Sequence, residues 1–151
     1  GYYIPDLIRD IESFMGYDHE KEAILVGVGK LGQALMGYSG FEKYGLNIIA
    51  GFDTDNALIG KEVHGKKILH VAKMASTVRK LGIKIAILTL PAAHAQVMAD
   101  ILVEAGIRAI WNFSPVSLNL PDNVAVKNEN MAASLAVLSA RLKEILSKED
   151  K

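Results

Sequence analysis

The segment Gly27-Val28-Gly29-Lys30-Leu31-Gly32 constrains most strongly what this chain can fold into. The apolar run Ala23-Ile24-Leu25-Val26 leads straight into it, and an apolar-periodic stretch through Leu31, Ala34 and Leu35 follows toward Tyr38-Ser39-Gly40. That is a buried strand, a tight glycine turn and a helix, in the order a strand-to-helix crossover requires. Each glycine then has its own physical reason. Gly27 permits the sharp turn, Gly29 lets the backbone approach a bound group, and Gly32 lets the helix sit close on the strand.

The remainder of the chain repeats this alternation. Pro5 and Gly16 frame a helical pattern of Leu7, Ile8, Ile11, Phe14 and Met15, with proline in the first turn and glycine past the last. Asn47 to Phe52 predicts a second strand, stopped at Asp53-Thr54-Asp55-Asn56. Weaker strand patterns at Val63 and at Lys67 to Leu69 precede a helix over 71–81 that ends at Gly82. Ile83 to Leu90 predicts a buried strand, and Pro91 opens a helix that runs to Ala105-Gly106. Ile107 to Trp111 and Val124 to Lys127 predict two more strands, and Met131 to about Ser147 a final helix. Short apolar strands joined through helices argue for βαβ units and a parallel sheet. The expected fold class is therefore α/β: one doubly wound, mostly parallel sheet (a Rossmann fold) with an added helix at each end. Its parts are a leading helix within 1–22, a core over 23–128 and a terminal helix over 129–147, in one domain of 151 residues.

The strand–loop–helix context turns a weak glycine spacing into a specific expectation. Phosphates would lie at the helix N-terminus, where main-chain N–H groups point outward and the dipole favours negative charge. Asp53 ends the second strand 21 positions after Gly32, where a carboxylate can accept hydrogen bonds from ribose hydroxyls. It would also repel a 2′-phosphate, so the expected ligands are NAD and NADH rather than their phosphorylated counterparts.

Composition narrows the classes. Half of the residues are hydrophobic, 23% are charged, and cysteine is absent. A disordered or disulfide-stapled protein is excluded, as are thiol catalysis and thiolate-held metal. Lys plus Arg and Asp plus Glu are both 17, and a chain that grips nucleic acid by itself is usually more basic. No apolar run approaches ~18 residues, so no membrane span is expected. The chain opens on Gly1 rather than Met, which suggests a piece of a longer protein.

Several segments resemble the redox-sensing repressors of the Rex family. They are Leu25 to Leu35 with Tyr38 and Gly40-Phe41, Gly51-Phe52-Asp53-Thr54-Asp55 with Gly60, and Pro91-Ala92 with Ala95-Gln96. Gly106-Ile107-Arg108-Ala109-Ile110 running into Asn112-Phe113-Ser114-Pro115 completes the likeness, which covers essentially the whole chain. The resemblance implies an N-terminal winged-helix DNA-binding domain, absent from this chain, followed by a Rossmann domain. It implies homodimers that exchange the last helix, release of operator DNA when NADH replaces NAD, and a cytoplasmic protein with no membrane partner. On that basis this chain is the sensor and dimerisation half of a transcriptional repressor, not an enzyme.

By the same resemblance, Gly27, Val28, Gly29, Lys30, Leu31, Gly32 and Asp53 hold the adenosine and pyrophosphate. Leu90 and Pro91, with Thr89, border the nicotinamide together with Asn112, Phe113 and Pro115. Tyr38 matches a tyrosine that helps couple nicotinamide state to dimer geometry, and its usual partner is an aspartate at the start of the last helix. Here that segment reads Asn128-Glu129-Asn130-Met131. Asn130 can hydrogen-bond a phenol but carries no charge, unless Glu129 supplies one. Met131 stands where an apolar residue enters the partner's cofactor pocket.

The remaining candidates have plainer readings beside the functional ones. Met131, Leu135, Leu138, Leu142 and Ile145 recur with a 3.5-residue period. That stripe covers either the chain's own sheet or a partner subunit, and the resemblance favours a swapped dimer. His94, in the first turn after Pro91, is a solvated helix-start histidine or the acid–base group of a small NAD-dependent dehydrogenase, for which Tyr38 is the other candidate. Seven basic residues between Lys61 and Lys84, against the single acidic Glu62, form a solvated face or a phosphate track. A CoA-binding Rossmann module is a further alternative, which Asp53 disfavours because CoA carries a 3′-phosphate.

Overall fold

The computed structural model describes residues 21–129 and 131–150, with side chains of the last helix described from Leu135 onward. The leading helix expected between Pro5 and Gly16, and the position of Asn130, lie outside the described residues. Strand β1 (Lys21–Val26) sits at the centre of a seven-stranded sheet of order β3-β4-β2-β1-β5-β6-β7. The other strands are β2 (Leu46–Asp53), β3 (Glu62–Val63), β4 (Lys66–His70), β5 (Ile85–Leu88), β6 (Ala109–Asn112) and β7 (Ala125–Asn128). All neighbouring pairs are parallel except β3 with β4. The mostly parallel, doubly wound sheet is the fold class the alternation predicts.

The strands are apolar on both faces because both faces are covered. Leu25, Ile48, Ile68, Ile87 and Trp111 point to one side, where α1 (Lys30–Met36) and α2 (Gly40–Lys43) contribute Met36 and Phe41. Ile24, Val26, Phe52, Ala86, Leu88 and Ile110 point to the other, where α3 (Met74–Leu81) and α4 (Ala92–Ala105) contribute Met74, Val78, Ala99 and Leu102. The final helix, α5, spans Met131–Glu149.

Three local features depart from the sequence expectation. The helix expected over 71–81 begins as a 3₁₀ turn, Val71–Lys73, because His70 Nδ1 accepts from Ala72 N–H at 3.0 Å and tightens the entry. The strand expected over Ile83 to Leu90 is shorter, Ile85–Leu88, since beyond it Leu90 N–H turns to the Ser114 hydroxyl at 2.9 Å. Helix α2 is an extra turn after Tyr38-Ser39, and it buries Phe41 in the core.

Candidate functional site

The carboxyl ends of β1 and β5 lie side by side, and here the winding of the sheet changes direction. From β1 the chain builds outward through β2 and β4, then returns to β5 and builds the other way. Such a reversal leaves a crevice above the strand ends, the usual ligand position in open α/β sheets. It holds a cleft of about 580 Å³ lined by Gly27, Gly29, Asp53, Thr54, Val71, Thr89, Leu90, Pro91, His94 and Met98. A cleft of that size, apolar with a few polar groups, suits a small ligand.

The glycines of the loop meet different surroundings. Gly27 has φ +97°, and a Cβ there would stand 2.5 Å from the Thr89 carbonyl oxygen. A Cβ on Gly32 would strike the Gly27 carbonyl, which the Thr89 hydroxyl also reaches as a donor. Gly29, by contrast, has nothing within 4 Å of where its Cβ would be. Gly27 and Gly32 are thus demanded by the protein's own packing, whereas Gly29 faces open space beside the cleft. Gly29 precedes helix α1 as its N-cap, with no side-chain hydrogen bond, and the first turn of α1 carries no acidic residue, so negative charge is not disfavoured there.

Asp53 is built into the loop it faces. Its Oδ2 accepts from Val28 N–H at 2.7 Å, and its Oδ1 accepts from Thr54 N–H at 2.7 Å and Asp55 N–H at 2.9 Å. A carboxylate offers about four lone-pair sites. Three are spent on main chain, which fixes the carboxylate and leaves Oδ2 one acceptor site toward the cleft.

The residues expected to border a nicotinamide separate into two groups. Leu90 and Pro91 line the cleft beside Asp53, Thr54 and Val71. Asn112, Phe113 and Pro115 do not. Asn112 is fully buried and Phe113 packs on Trp111 at 4.5 Å between ring centroids, on the sheet face that carries α1 and α2. Pro115 is exposed. Asn112 Nδ2 donates to Val116 O at 2.7 Å and Asn128 Oδ1 at 2.9 Å, while its Oδ1 accepts from Ser114 N–H at 3.0 Å. Val28 is buried and meets Asp53 through its main chain, whereas Lys30 is exposed and Leu31 partly so.

Tyr38 is half-exposed and stands edge-on to Phe41 at 4.8 Å; Phe41 in turn meets Trp111 at 5.7 Å. An aromatic line therefore joins Tyr38 to Phe113 through the core. On α5, Leu135, Leu138 and Leu142 are 64%, 65% and 53% exposed, so that stripe does not cover this chain's own sheet. Helix α5 begins at Met131. Thr54, Val71 and Met98 were not singled out by the sequence. Thr54 and Val71 each directly follow the end of a parallel strand, and Met98 lies two turns into α4 from Pro91, so only the strand order brings them together.

A family model described as the CoA binding domain matches residues 18–116. The redox-sensing transcriptional repressor Rex of Treponema denticola is 42% identical over 94% of this chain and 68% of its own length. The Rex repressors of Porphyromonas gingivalis and Clostridium beijerinckii are 39% and 42% identical over 96% and 95% of the chain, and over 66% and 68% of their own lengths. The chain thus spans about two thirds of the curated relatives it matches. Among solved structures, RSP, a Rex-family repressor, in complex with β-NAD+ and operator DNA is 37% identical over 99% of this chain and 69% of its own, with TM-score 0.82. RSP in complex with β-NADH is 38% identical over 100% of this chain and 74% of its own, with TM-score 0.80.

Proposed function

This chain belongs to the Rex family of redox-sensing transcriptional repressors, and we propose that it is the NAD(H)-sensing and dimerisation part of such a repressor. The observation that carries the reading is the cleft at the winding reversal, where Asp53 is locked to the glycine loop with one acceptor site left free. Gly27, Gly32 and Asp53 form the frame for the adenosine ribose, and the open backbone at Gly29 takes the pyrophosphate. Val71, Leu90, Pro91 and Met98 supply apolar walls on the Asp53 side, so they suit the adenine better than the nicotinamide. The nicotinamide half then extends from the loop toward the Asn112–Pro115 turn, where Phe113 and Pro115 border it.

NAD+ and NADH share everything but the nicotinamide ring, so the adenylate frame binds both alike and cannot itself switch anything. The oxidised ring is a cation and the reduced ring is neutral. An apolar surround disfavours the cation by desolvation, and a tenfold preference for NADH needs only about 1.4 kcal/mol. That difference shifts a dimer between two arrangements only as far as the two rings bind them differently. The exposed stripe of α5 is the surface on which a second copy pairs, with the partner's Met131 brought toward the ring by helix exchange. In the longer protein, NADH would favour the arrangement in which a winged-helix domain preceding this part releases operator DNA.

The relatives are repressors rather than enzymes, which sets aside a dehydrogenase built on His94 or Tyr38. The match to the CoA-binding family model favours a second reading, CoA in the same cleft. Asp53 opposes it, because a carboxylate at the end of β2 would repel the 3′-phosphate of CoA. Among the described residues no helix is long and apolar enough to cross a membrane, and a cytoplasmic sensor of the dinucleotide pool fits this role. Isothermal titration of the chain with NADH and CoA separates the readings: saturable NADH binding supports the first, and CoA binding alone supports the second.

A further inference from the structure

We infer that Asn112 is a positioning residue that ties the wall of the cleft to the root of helix α5, so that the occupant of the cleft sets how that helix is held. The inference rests on the NAD(H) reading of the cleft. Asn112 is 0% exposed, and its amide is used in full within one short region. Two donors go to the Val116 carbonyl and to Asn128 Oδ1, and the acceptor takes Ser114 N–H. Its main-chain carbonyl accepts from Glu129 N–H at 2.8 Å. On the cleft side, the buried Ser114 accepts through Oγ from Leu90 N–H at 2.9 Å, and its neighbours Phe113 and Pro115 are the residues proposed to border the nicotinamide, so the ring that differs between NAD+ and NADH meets this same turn. On the helix side, Asn128 ends β7 and α5 begins three positions later at Met131.

Every link from Leu90 to the start of α5 is therefore a hydrogen bond or a covalent bond, with no sliding apolar contact between them. The side chain at 112 must offer two donors and one acceptor at once, which a primary amide does and a carboxylate does not. A leucine there would leave Ser114 N–H unpaired in the interior, and an aspartate would set its charge against the Val116 carbonyl.

Of the three bonds, the one to Asn128 is made to an exposed side chain, so water can reach the Asn112 donor that its removal frees. Asn128 is thus where coupling can be cut without opening the interior. Asn128→Ala removes the acceptor for Asn112 and for Leu118 N–H, whereas Asn128→Asp keeps it.

The test is hydrogen exchange on this chain and its variants with NAD+ or NADH bound. In the unaltered chain and in Asn128→Asp, replacing NAD+ by NADH is expected to change exchange over residues 129–138 about fivefold or more. In Asn128→Ala, which keeps only the main-chain ties between β6 and β7 and from Glu129 N–H to the Asn112 carbonyl, that response falls about twofold or more, while protection of residues 88–98 by either dinucleotide stays. Asn112→Asp, which keeps the volume and loses both donors, gives the same loss. A full response at 129–138 in Asn128→Ala would overturn the inference, as would an unresponsive helix root in the unaltered chain with a protected cleft. No protection of 88–98 by NADH in the unaltered chain would overturn the dinucleotide reading itself, and the inference with it.

Discussion

Gly29 and Gly32 are three positions apart in the same loop and are glycine for opposite reasons. The Cβ of Gly32→Ala would meet the Gly27 carbonyl and the Leu25 side chain, so the helix must move away from β1. Overpacking of that kind costs about 1–3 kcal/mol, and urea denaturation is expected to show it. Gly29→Ala meets open space at an extended backbone position, so stability should stay within about 0.5 kcal/mol. Its methyl would stand where the pyrophosphate approaches, and NADH affinity is expected to fall about tenfold or more, about 1.4 kcal/mol. Equal losses of stability in the two variants would contradict these assignments. Asp53→Asn combines both effects. An amide cannot accept from Val28, Thr54 and Asp55 together without turning a donor toward one of them, at about 1–3 kcal/mol in stability. Losing the charge should also narrow the preference for NADH over NADPH, read from the ratio of their dissociation constants. That Asp53 lies against the glycine loop was legible from its spacing to it, but its three main-chain bonds were not, because they depend on how two strand ends meet. Asn112 is the converse case. In the sequence it is a polar residue in a motif that the family resemblance sets beside the nicotinamide, whereas the fold buries it under a turn whose partners lie 4 and 16 positions away.

Among the elements, the strands and helices were legible wherever burial on both faces leaves a continuous apolar run, as in β1 and β5. The short α2 was not, since its four residues make less than two helical turns and only the burial of Phe41 gives it a reason to form. Helix α5 was legible as a helix with a 3.5-residue apolar stripe, but periodicity cannot say what lies opposite. The exposure of Leu135, Leu138 and Leu142 removes the chain's own sheet as the answer for that stripe. Burying one such side chain contributes about 1.5–3 kcal/mol, so a pair of stripes is ample for association. The proposed dimer predicts that Leu138→Glu with Leu142→Glu yields a monomer by sedimentation equilibrium, with circular dichroism of the core preserved. A dimer that survives this double substitution would contradict pairing through α5.

At the scale of the whole molecule, the sheet order puts Gly27 and Asp53, the proposed adenylate frame, and the Asn112–Pro115 turn on either side of the β1–β5 reversal. Every residue of the proposed frame lies within one chain, so ADP-ribose, which lacks the nicotinamide, should bind within about tenfold of NADH. It should leave the NADH-specific response of the C-terminal helix unexcited, because no differing ring is present. The most direct measurement is a competition titration of this chain: NADH is bound to saturation and displaced in turn by NAD+, ADP-ribose, NADPH and CoA. The account predicts displacement by NAD+ and ADP-ribose, with NADPH and CoA at least about tenfold weaker than either. Absence of saturable NADH binding, or displacement by CoA more readily than by NAD+, would contradict it.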